Sequence, residues 1–343
     1  MKIYLDEQAC KATLAPLSLT RHVADIRVGI LTILEKWTLL LKGQAEIIIG
    51  ESCPKNAIAI PAHLIPCISN YQSILNNPQN NTAPQLFYPW HIVQHNDWAI
   101  KEDYLLLTKG RNAASIPSSV QTVCPENIFI EEGADLSYCT INAAHGPVYI
   151  GKKALVMEGV CIRGPFALGE NATVKMGATI YGATTIGPYC VAGGEIKNSM
   201  LMGYSNKAHE GYLGDSVIGE WCNLGAGTVN SNVKNNAASA AYTINRQGDK
   251  VQVGPKAGLV MGDYSRTAIN TSFNTASMVG VCCHVMHRDF PPSFLPDFSW
   301  GEESYRLDKA FEHIAGWKQM KGHQLTDKEK QVLTTLYSIS NQH

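Results

Sequence analysis

An aliphatic residue recurs at every sixth position through the middle of this chain. The uninterrupted series is Ile150, Val156, Ile162, Leu168, Val174, Ile180 and Ile186. An α-helix cannot keep such positions on one face, because an advance of about 100° per residue carries them around the axis. The period suits a coil of short strands joined by tight turns, with one aliphatic side chain per strand pointing into a narrow core. Glycine follows every third member, at Gly151, Gly169 and Gly187, which indicates coils of eighteen residues.

This repeat resembles the hexapeptide family of left-handed parallel β-helices, so the predicted fold class is mainly β. The register breaks after Ile186, because the 32 residues to Ile218 are not a multiple of six, and we predict an insertion there. Residues 230–247, rich in Asn, Ser and Ala, are predicted to form a second excursion. The register returns at Met261, Phe273, Val279 and Val285. The predicted solenoid spans residues 125–290.

The segments on either side of the repeat have different patterns. Residues 1–115 are predicted to form a small α/β domain, in which apolar spacing allows a helix over 25–42. Its strand-like runs are residues 2–5, 46–49 and 57–60. A Pro/Asn-rich loop is predicted at 76–84 and a linker at 116–124. After Pro291-Pro292 the tail, residues 291–343, is predicted to be helical over 303–318 and 326–338.

Composition narrows the classes of function. Of the 343 residues only 17% are charged, against about 25% in an average soluble protein, which favours burial of surface between subunits. The net charge of -1 and the lack of a basic block give no indication of nucleic-acid binding. No apolar run is long enough to predict a membrane span, and we expect a cytoplasmic protein. Ten scattered cysteines without a CxxC pair predict free thiols and no metal site.

Three closely spaced motifs follow the break in the repeat. They are Glu195-x-Lys197-Asn198, His209-x-x-Tyr212-x-Gly214 and Asn223-x-Gly225-Ala226-Gly227-Thr228. In type and spacing they resemble the acetyltransferase half of the bacterial bifunctional N-acetylglucosamine-1-phosphate uridyltransferase/glucosamine-1-phosphate acetyltransferase family. The resemblance implies acetyl transfer from acetyl-CoA, or another acyl-CoA, to an amino sugar phosphate or a nucleotide sugar. It also implies a homotrimer in which the acceptor pocket forms between neighbouring solenoids.

The resemblance implies a role for each matched residue, and chemistry supports the residue types. An attacking amine must lose a proton, and histidine, with a pKa of about 6.5 as a residue type, can accept it, so His209 is the candidate base. Lys197 and Tyr212 would bind a sugar phosphate, and Asn223 and Asn232 would orient the amine and its sugar. For the cofactor, the backbone N–H of Ala226 would stabilise the thioester oxyanion, and Asn270 is a second candidate contact.

The N-terminal third resembles the opening of sugar-phosphate nucleotidyltransferases at residues 16–21 and 35–37. The glycine-rich turn that cradles phosphates is missing, so we interpret it as a reduced domain. Arg21 and Arg27 are its candidate phosphate ligands, and Mg²⁺ would be needed if this domain were active. Two alternatives to acyl transfer therefore stay open: nucleotidyl transfer by residues 1–115, and a non-catalytic assembly module.

Overall fold

A computed structural model describes residues 1–79 and 81–340. Its main body is a parallel β-solenoid of the hexapeptide, left-handed β-helix type, with three faces. Each coil contributes one short strand to each face, and strands of successive coils pair in parallel. The mainly β fold predicted from the six-residue repeat is confirmed.

Nine strands form the first face: Ile128–Ile130, Val148–Ile150, Phe166–Leu168, Thr184–Ile186, Met200–Gly203, Val217–Glu220, Leu259–Met261, Ser277–Val279 and Phe294–Leu295. The second face contains Asp135–Leu136, Leu155–Val156, Thr173–Val174, Val191–Ala192, Asn206–Lys207, Arg266–Thr267, His284–Val285 and Ser299–Trp300. Asn223 bridges Asn206 and Arg266 on this face, and Glu303–Ser304 adds an antiparallel strand. The third face contains Gln121–Val123, Thr140–Asn142, Cys161–Arg163, Thr179–Ile180, Glu195–Lys197, Tyr212–Gly214, Val229–Asn230 and Ser272–Phe273.

The repeat residues fill the solenoid core. All seven members of the series from Ile150 to Ile186 are at most 3% exposed. Glycine sets the distance between coils, since a Cβ on Gly169 would lie 2.5 Å from the backbone nitrogen of Pro188. Burial of these aliphatic side chains, at about 25 cal/mol per Å² of apolar area, is the main stabilising contribution of the coil stack.

The insertion predicted after Ile186 is wrong. Ile186 pairs with Leu201 and Leu201 with Ile218, so two consecutive coils of 15 and 17 residues fill this interval. The register shifted because both coils are shorter than eighteen residues. The solenoid also extends beyond the predicted 125–290, since paired strands begin at Gln121 and continue to Trp300.

The second excursion leaves the coil stack as an antiparallel hairpin. Its strands are Ala240–Thr243 and Lys250–Gly254. Tyr242 is fully buried, and its ring stacks on Trp90 with centroids 4.6 Å apart. The hairpin therefore packs against the N-terminal third of the chain.

The N-terminal third is a layer packed on the first face. Its parallel sheet has Lys2–Asp6 between Glu46–Ile48 and Ile58–Pro61, and Arg27–Val28 pairs with Leu31–Thr32. The helices of the layer are α1 (Ile33–Leu41), α2 (Tyr71–Asn76) and α3 (His91–Thr108), with a 3₁₀ turn at Val23–Asp25. A second 3₁₀ turn, Pro125–Asn127, belongs to the solenoid. The predicted helix over 25–42 begins only at Ile33, and α3 was not predicted from the sequence. Met200, Met202 and Val217 of the solenoid share a core with this layer.

Two C-terminal helices, α4 (Leu307–Met320) and α5 (Asp327–Ser340), pack on the second face and its edge with the first. Both predicted helices are present, with ends shifted by a few residues. Tyr189, Tyr204 and Trp221, one from each successive coil, stack into a column, with adjacent ring centroids 4.9 and 4.2 Å apart. The ammonium group of Lys318 lies 4.6 Å from the ring centroid of Trp221. The tail therefore covers part of the solenoid.

Candidate functional site

His209 lies in the turn between the strands Asn206–Lys207 and Tyr212–Gly214, where the second face meets the third. We call this edge of the prism the His209 corner. The imidazole is exposed and makes no hydrogen bond within the described residues. Met157, Lys175, Ala208 and His209 all line a groove beside the corner. A base at the mouth of a groove can reach a proton on a bound substrate.

Ala226 and Asn270 occupy the same corner in the next two coils. The backbone N–H of Asn270 donates to the carbonyl oxygen of Ala226 at 2.7 Å. A Cβ on Gly227, whose φ is +71°, would lie 2.1 Å from Oδ1 of Asn270, so glycine is required for this approach. The N–H of Ala226 donates to no acceptor in the described part of the chain. His209, Ala226 and Asn270 are thus brought together, and a free backbone donor lies beside them.

Lys207 supports the turn that carries His209. Its side chain points into the solenoid core, where the repeat otherwise places small or aliphatic residues, and it is 0% exposed. The ammonium group donates to the carbonyl oxygens of His209 at 2.5 Å and Glu210 at 3.1 Å. Burial lowers the pKa of Lys207 to about 8. The sequence did not single out this lysine, because the shortened coil after Ile186 shifts the six-residue register and hides its inward position.

The groove runs from the His209 corner to helix α4, across the second face, and has a volume of about 500 Å³. On its floor, Asn206 donates to Oδ1 of Asn223 at 3.3 Å. Lys321, just after α4, donates to Oδ1 of Asn206 at 3.0 Å. Trp317 and Met320 form the wall on the helix side. Asn223 therefore belongs to this groove.

The other predicted substrate ligands lie on the third face and at its edge with the first. Asn232 donates from Nδ2 to the hydroxyl of Tyr212 at 3.1 Å and to Oδ2 of Asp215 at 2.5 Å. Burial, and then the charge of Asp215, raise the pKa of Tyr212 to about 12, so this phenol stays a hydrogen-bond donor. Lys197 is exposed, with its ammonium group 5.9 Å from the ring centroid of Tyr181. No hydrogen bond or ion pair within the described residues joins this cluster to His209.

Arg21 is not on an open phosphate site. Its guanidinium lies between the N-terminal layer and the solenoid, where it pairs with Glu220 at 2.8 Å and with Asp263. The hydroxyl of Thr20 also donates to Asp263. Two carboxylates already neutralise this side chain, so the structure gives it the role of joining the two parts of the chain.

Arg27 and Lys36 of the N-terminal layer are also paired. Arg27 donates to the carbonyl oxygen of Ile30 and lies 3.3 Å from Glu35. Lys36, 1% exposed, pairs with Asp103 of α3. Asp103 also accepts the backbone N–H of Ile30 at 2.8 Å. Each of these cations contributes to the packing of the layer rather than to an open surface.

Residues 1–79 and 81–340 bring together no three His, Cys, Asp or Glu side chains that could hold a metal ion. In the same ranges, no helix combines the length and hydropathy needed to cross a bilayer. All ten cysteines are free thiols.

Comparisons with known proteins find similarity over parts of this chain. Residues 3–52 match the family model described as sugar nucleotidyl transferase. The chain is 34% identical over 91 residues to "Bifunctional protein GlmU" of Methanocaldococcus jannaschii, covering 26% of this chain and 22% of that protein. It is therefore similar to the GlmU proteins over part of its length. A Sulfurisphaera tokodaii "Bifunctional sugar-1-phosphate nucleotidylyltransferase/acetyltransferase" is 28% identical over 198 residues, 57% of this chain and 43% of that protein.

The chain thus spans less than half the length of these curated relatives. A solved structure titled as the Francisella novicida UDP-N-acetylglucosamine acyltransferase covers 65% of this chain and 88% of its own, at 14% identity and a TM-score of 0.25. A TM-score this low supports no conclusion about the fold or the function of this chain.

Proposed function

We propose that this protein is an acyl-CoA-dependent transferase that acetylates an amino sugar phosphate or a nucleotide sugar. The observation that carries the proposal is the meeting of His209, the free N–H of Ala226 and Asn270 at one corner beside a groove. General base and oxyanion donor are the two groups that acyl transfer from a thioester to an amine requires. The similarity to GlmU and to a bifunctional acetyltransferase supports the same reaction.

In the proposed mechanism His209 accepts a proton from the amine of the acceptor as its nitrogen attacks the thioester carbonyl. The N–H of Ala226 donates to the oxygen on which negative charge develops. Collapse of that intermediate expels the coenzyme A thiolate and leaves an amide. The imidazole of His209 and the N–H of Ala226 each contact an atom whose charge changes during the reaction, so each binds the transition state more strongly than the bound substrates. That difference in binding is what raises the rate.

The active unit we propose is a homotrimer acting in the cytoplasm. The acceptor ligands Lys197, Tyr212 and Asn232 lie on the third face and at its edge with the first. Asn223 lies on the second face, and Ala226 lies at the His209 corner. Packing the His209 corner of one subunit on the third face of another would complete one site from two halves. Large apolar side chains are exposed along the same corner, with Tyr138 at 72% and Ile269 at 70%.

The direct test is turnover. Purified protein is incubated with acetyl-CoA and a panel of amino sugar phosphates and UDP-amino sugars, and mass spectrometry follows the acetylated product. We expect product with at least one acceptor. Absence of product with every acceptor, in protein that is folded and binds coenzyme A, would contradict the proposal.

A second candidate is sugar-1-phosphate nucleotidyl transfer, favoured by the family match at residues 3–52. Arg21 and Lys36 already pair with carboxylates, which leaves neither for a triphosphate. Metal-dependent consumption of a nucleoside triphosphate with a sugar 1-phosphate would favour this candidate, whereas no turnover of either kind would favour an assembly module.

A further inference from the structure

Buried cations fall into two groups in this protein. Those outside the groove meet carboxylates: Lys36 pairs with Asp103, and Lys318 lies 2.5 Å from Glu329. Lys207 and Arg266 are also buried, at 0% and 7% exposure. Among the described residues, neither has a carboxylate within the 4.0 Å of an ion pair. A buried charge without a counter-charge is costly, so this departure from the rest of the chain requires an explanation.

The energetic cost of an unpaired buried charge is larger for Arg266 than for Lys207, because much of the Arg266 guanidinium has no hydrogen-bond partner. Nε and Nη2 are buried and make no hydrogen bond in the described structure. Nη1 reaches only the carbonyl oxygen of Tyr264 at 3.4 Å and Nε2 of His284 at 3.5 Å. Burial lowers the pKa of both Arg266 and His284, that of His284 to about 4, which leaves the imidazole neutral.

Arg266 lies behind the groove wall formed by Trp317, and Lys207 lies in the core beneath the groove. Arg266 follows Asn223 on the second face, and its Cζ lies 5.2 Å from the ring centroid of Trp317, which lines the groove. Lys207 lies under the floor, next in sequence to Asn206. Glu210 is the acid nearest to Lys207; it is exposed and lines the adjoining pocket at the His209 corner.

Two further lysines add positive charge to the lining. Lys175 lines the groove without an ion-pair partner in residues 1–79 and 81–340. Lys321 donates to three neutral acceptors, the carbonyl oxygens of Tyr189 and Tyr204 and Oδ1 of Asn206. The lining contains no Asp or Glu. A cleft with charges of one sign and low-dielectric walls concentrates ligands of opposite charge.

We propose that this groove is an anion site that binds a phosphate group of a ligand beside His209. Lys175 and Lys321 supply positive charge at the mouth. Rotation of Trp317 uncovers Nε and Nη2 of Arg266, whose planar fork matches two phosphate oxygens. The site deepens the proposed function, because that reaction has two phosphate-bearing ligands, coenzyme A and an acceptor sugar phosphate.

The test measures binding without turnover. The melting temperature of the full chain is followed with pyrophosphate, and calorimetry gives the Kd for coenzyme A, pantetheine, glucosamine 1-phosphate and glucosamine. The variants are Arg266→Met and Lys321→Met, with Lys250→Met, an exposed lysine of the hairpin, as the matched control. Arg266→Met removes a buried cation that has no counter-charge, so we expect its melting temperature without ligand to equal or exceed that of wild type. Lys321→Met loses three hydrogen bonds, so the effect of each ligand on this variant is measured from the variant's own melting temperature without ligand.

We expect pyrophosphate to raise the melting temperature of wild type and Lys250→Met but not of the two site variants. The Kd of the bound phosphate ligand should rise by about tenfold or more in each site variant. If the change appears with coenzyme A and not with pantetheine, the phosphate is the donor's. If it appears with glucosamine 1-phosphate and not with glucosamine, it is the acceptor's.

Two results would overturn the anion site. One is that no phosphate-bearing probe stabilises wild type, and the other is that both site variants bind these probes as wild type does. If Arg266→Met does not fold, Lys321→Met and Arg266→Lys decide the question, the latter keeping the charge without the fork. Binding that depends on these residues without acetylation would leave this inference standing and remove the proposed reaction. Acetylation with unchanged Kd in the variants would do the reverse.

Discussion

The guanidinium of Arg21 and the carboxylate of Asp263 form a buried ion pair that joins the N-terminal layer to the solenoid. The two residues are 242 positions apart, and Asp263 also accepts the backbone N–H of Glu220 at 2.7 Å. A residue that resembles a phosphate ligand of nucleotidyltransferases is here part of an internal contact. The layer is thus fixed to the coils that carry the groove.

Removal of this pair should therefore reduce stability. We expect Arg21→Met to lower the free energy of unfolding by about 3–5 kcal/mol, because Asp263 would remain buried without its cation. Urea titration followed by circular dichroism measures the change. In the control, Lys2→Met breaks the exposed pair with Glu46 and should change stability by less than about 1 kcal/mol. Equal stability of Arg21→Met and wild type would show that the pair is not structural.

The proposed base gives a second prediction. His209→Asn should lower kcat/KM for acetyl transfer by roughly 10²–10⁴-fold, the usual contribution of a positioned general base. The melting temperature should stay near that of wild type, because the imidazole is exposed and makes no hydrogen bond in the described part of the chain. His145→Asn, at another exposed turn, is the control and should leave both quantities unchanged. A folded His209→Asn protein with wild-type kcat/KM would exclude the role.

Lys207 predicts a dependence of stability on pH. Its folded-state pKa is lowered from 10.5 to about 8 by burial, so between these values the unfolded chain holds the proton that the folded chain has released. The contribution of Lys207 to stability therefore rises with pH across this window, by up to about 3 kcal/mol. At pH 7 both states are protonated, and the buried charge costs stability that methionine would not.

Lys207→Met isolates this effect from other groups that titrate at high pH. Its advantage in free energy of unfolding over wild type should be largest at pH 7 and shrink toward pH 10. Guanidinium titrations at the two pH values measure the difference. An advantage that stays constant with pH would mean that Lys207 is charged in the folded protein throughout this range.

The sequence predicted the coil stack because each coil repeats the same local geometry, so an inward aliphatic residue every sixth position is enough to define it. It failed after Ile186 for a physical reason. Counting positions shows only that the interval from Ile186 to Ile218 is not a multiple of six. Two shortened coils produce that result just as an insertion does. Paired strands, such as Thr185 with Met200, show where each coil ends.

Helix α3 was missed because its buried face is not apolar throughout. Asn96 and Asp103 lie on that face, where they accept the backbone N–H groups of Gly29 at 2.9 Å and Ile30 at 2.8 Å. Polar residues at these positions interrupt the helical period on which a sequence prediction rests. Lys207 and Arg266 were missed at the groove for a related reason. Their significance lies in the absence of a carboxylate within ion-pair distance, which only the fold reveals.

The final prediction concerns assembly. Tyr138, Met176 and Ile269, each at least 67% exposed, lie in turns of the same corner as His209, so they form an apolar row along one edge of the prism. Such a row fits an interface between subunits better than a surface in water. We expect light scattering to give a mass near three chains of 37.4 kDa at micromolar concentration.

Ile269→Lys places a charge in that row and should shift the mass toward one chain, with loss of acetyl transfer because each site would lack its second half. Leu105→Lys, at a 56% exposed position of α3, is the control and should leave both the mass and the activity unchanged. A wild-type mass of one chain would contradict the trimer. Activity of a monomeric Ile269→Lys protein would show instead that His209 and the acceptor ligands of a single chain suffice.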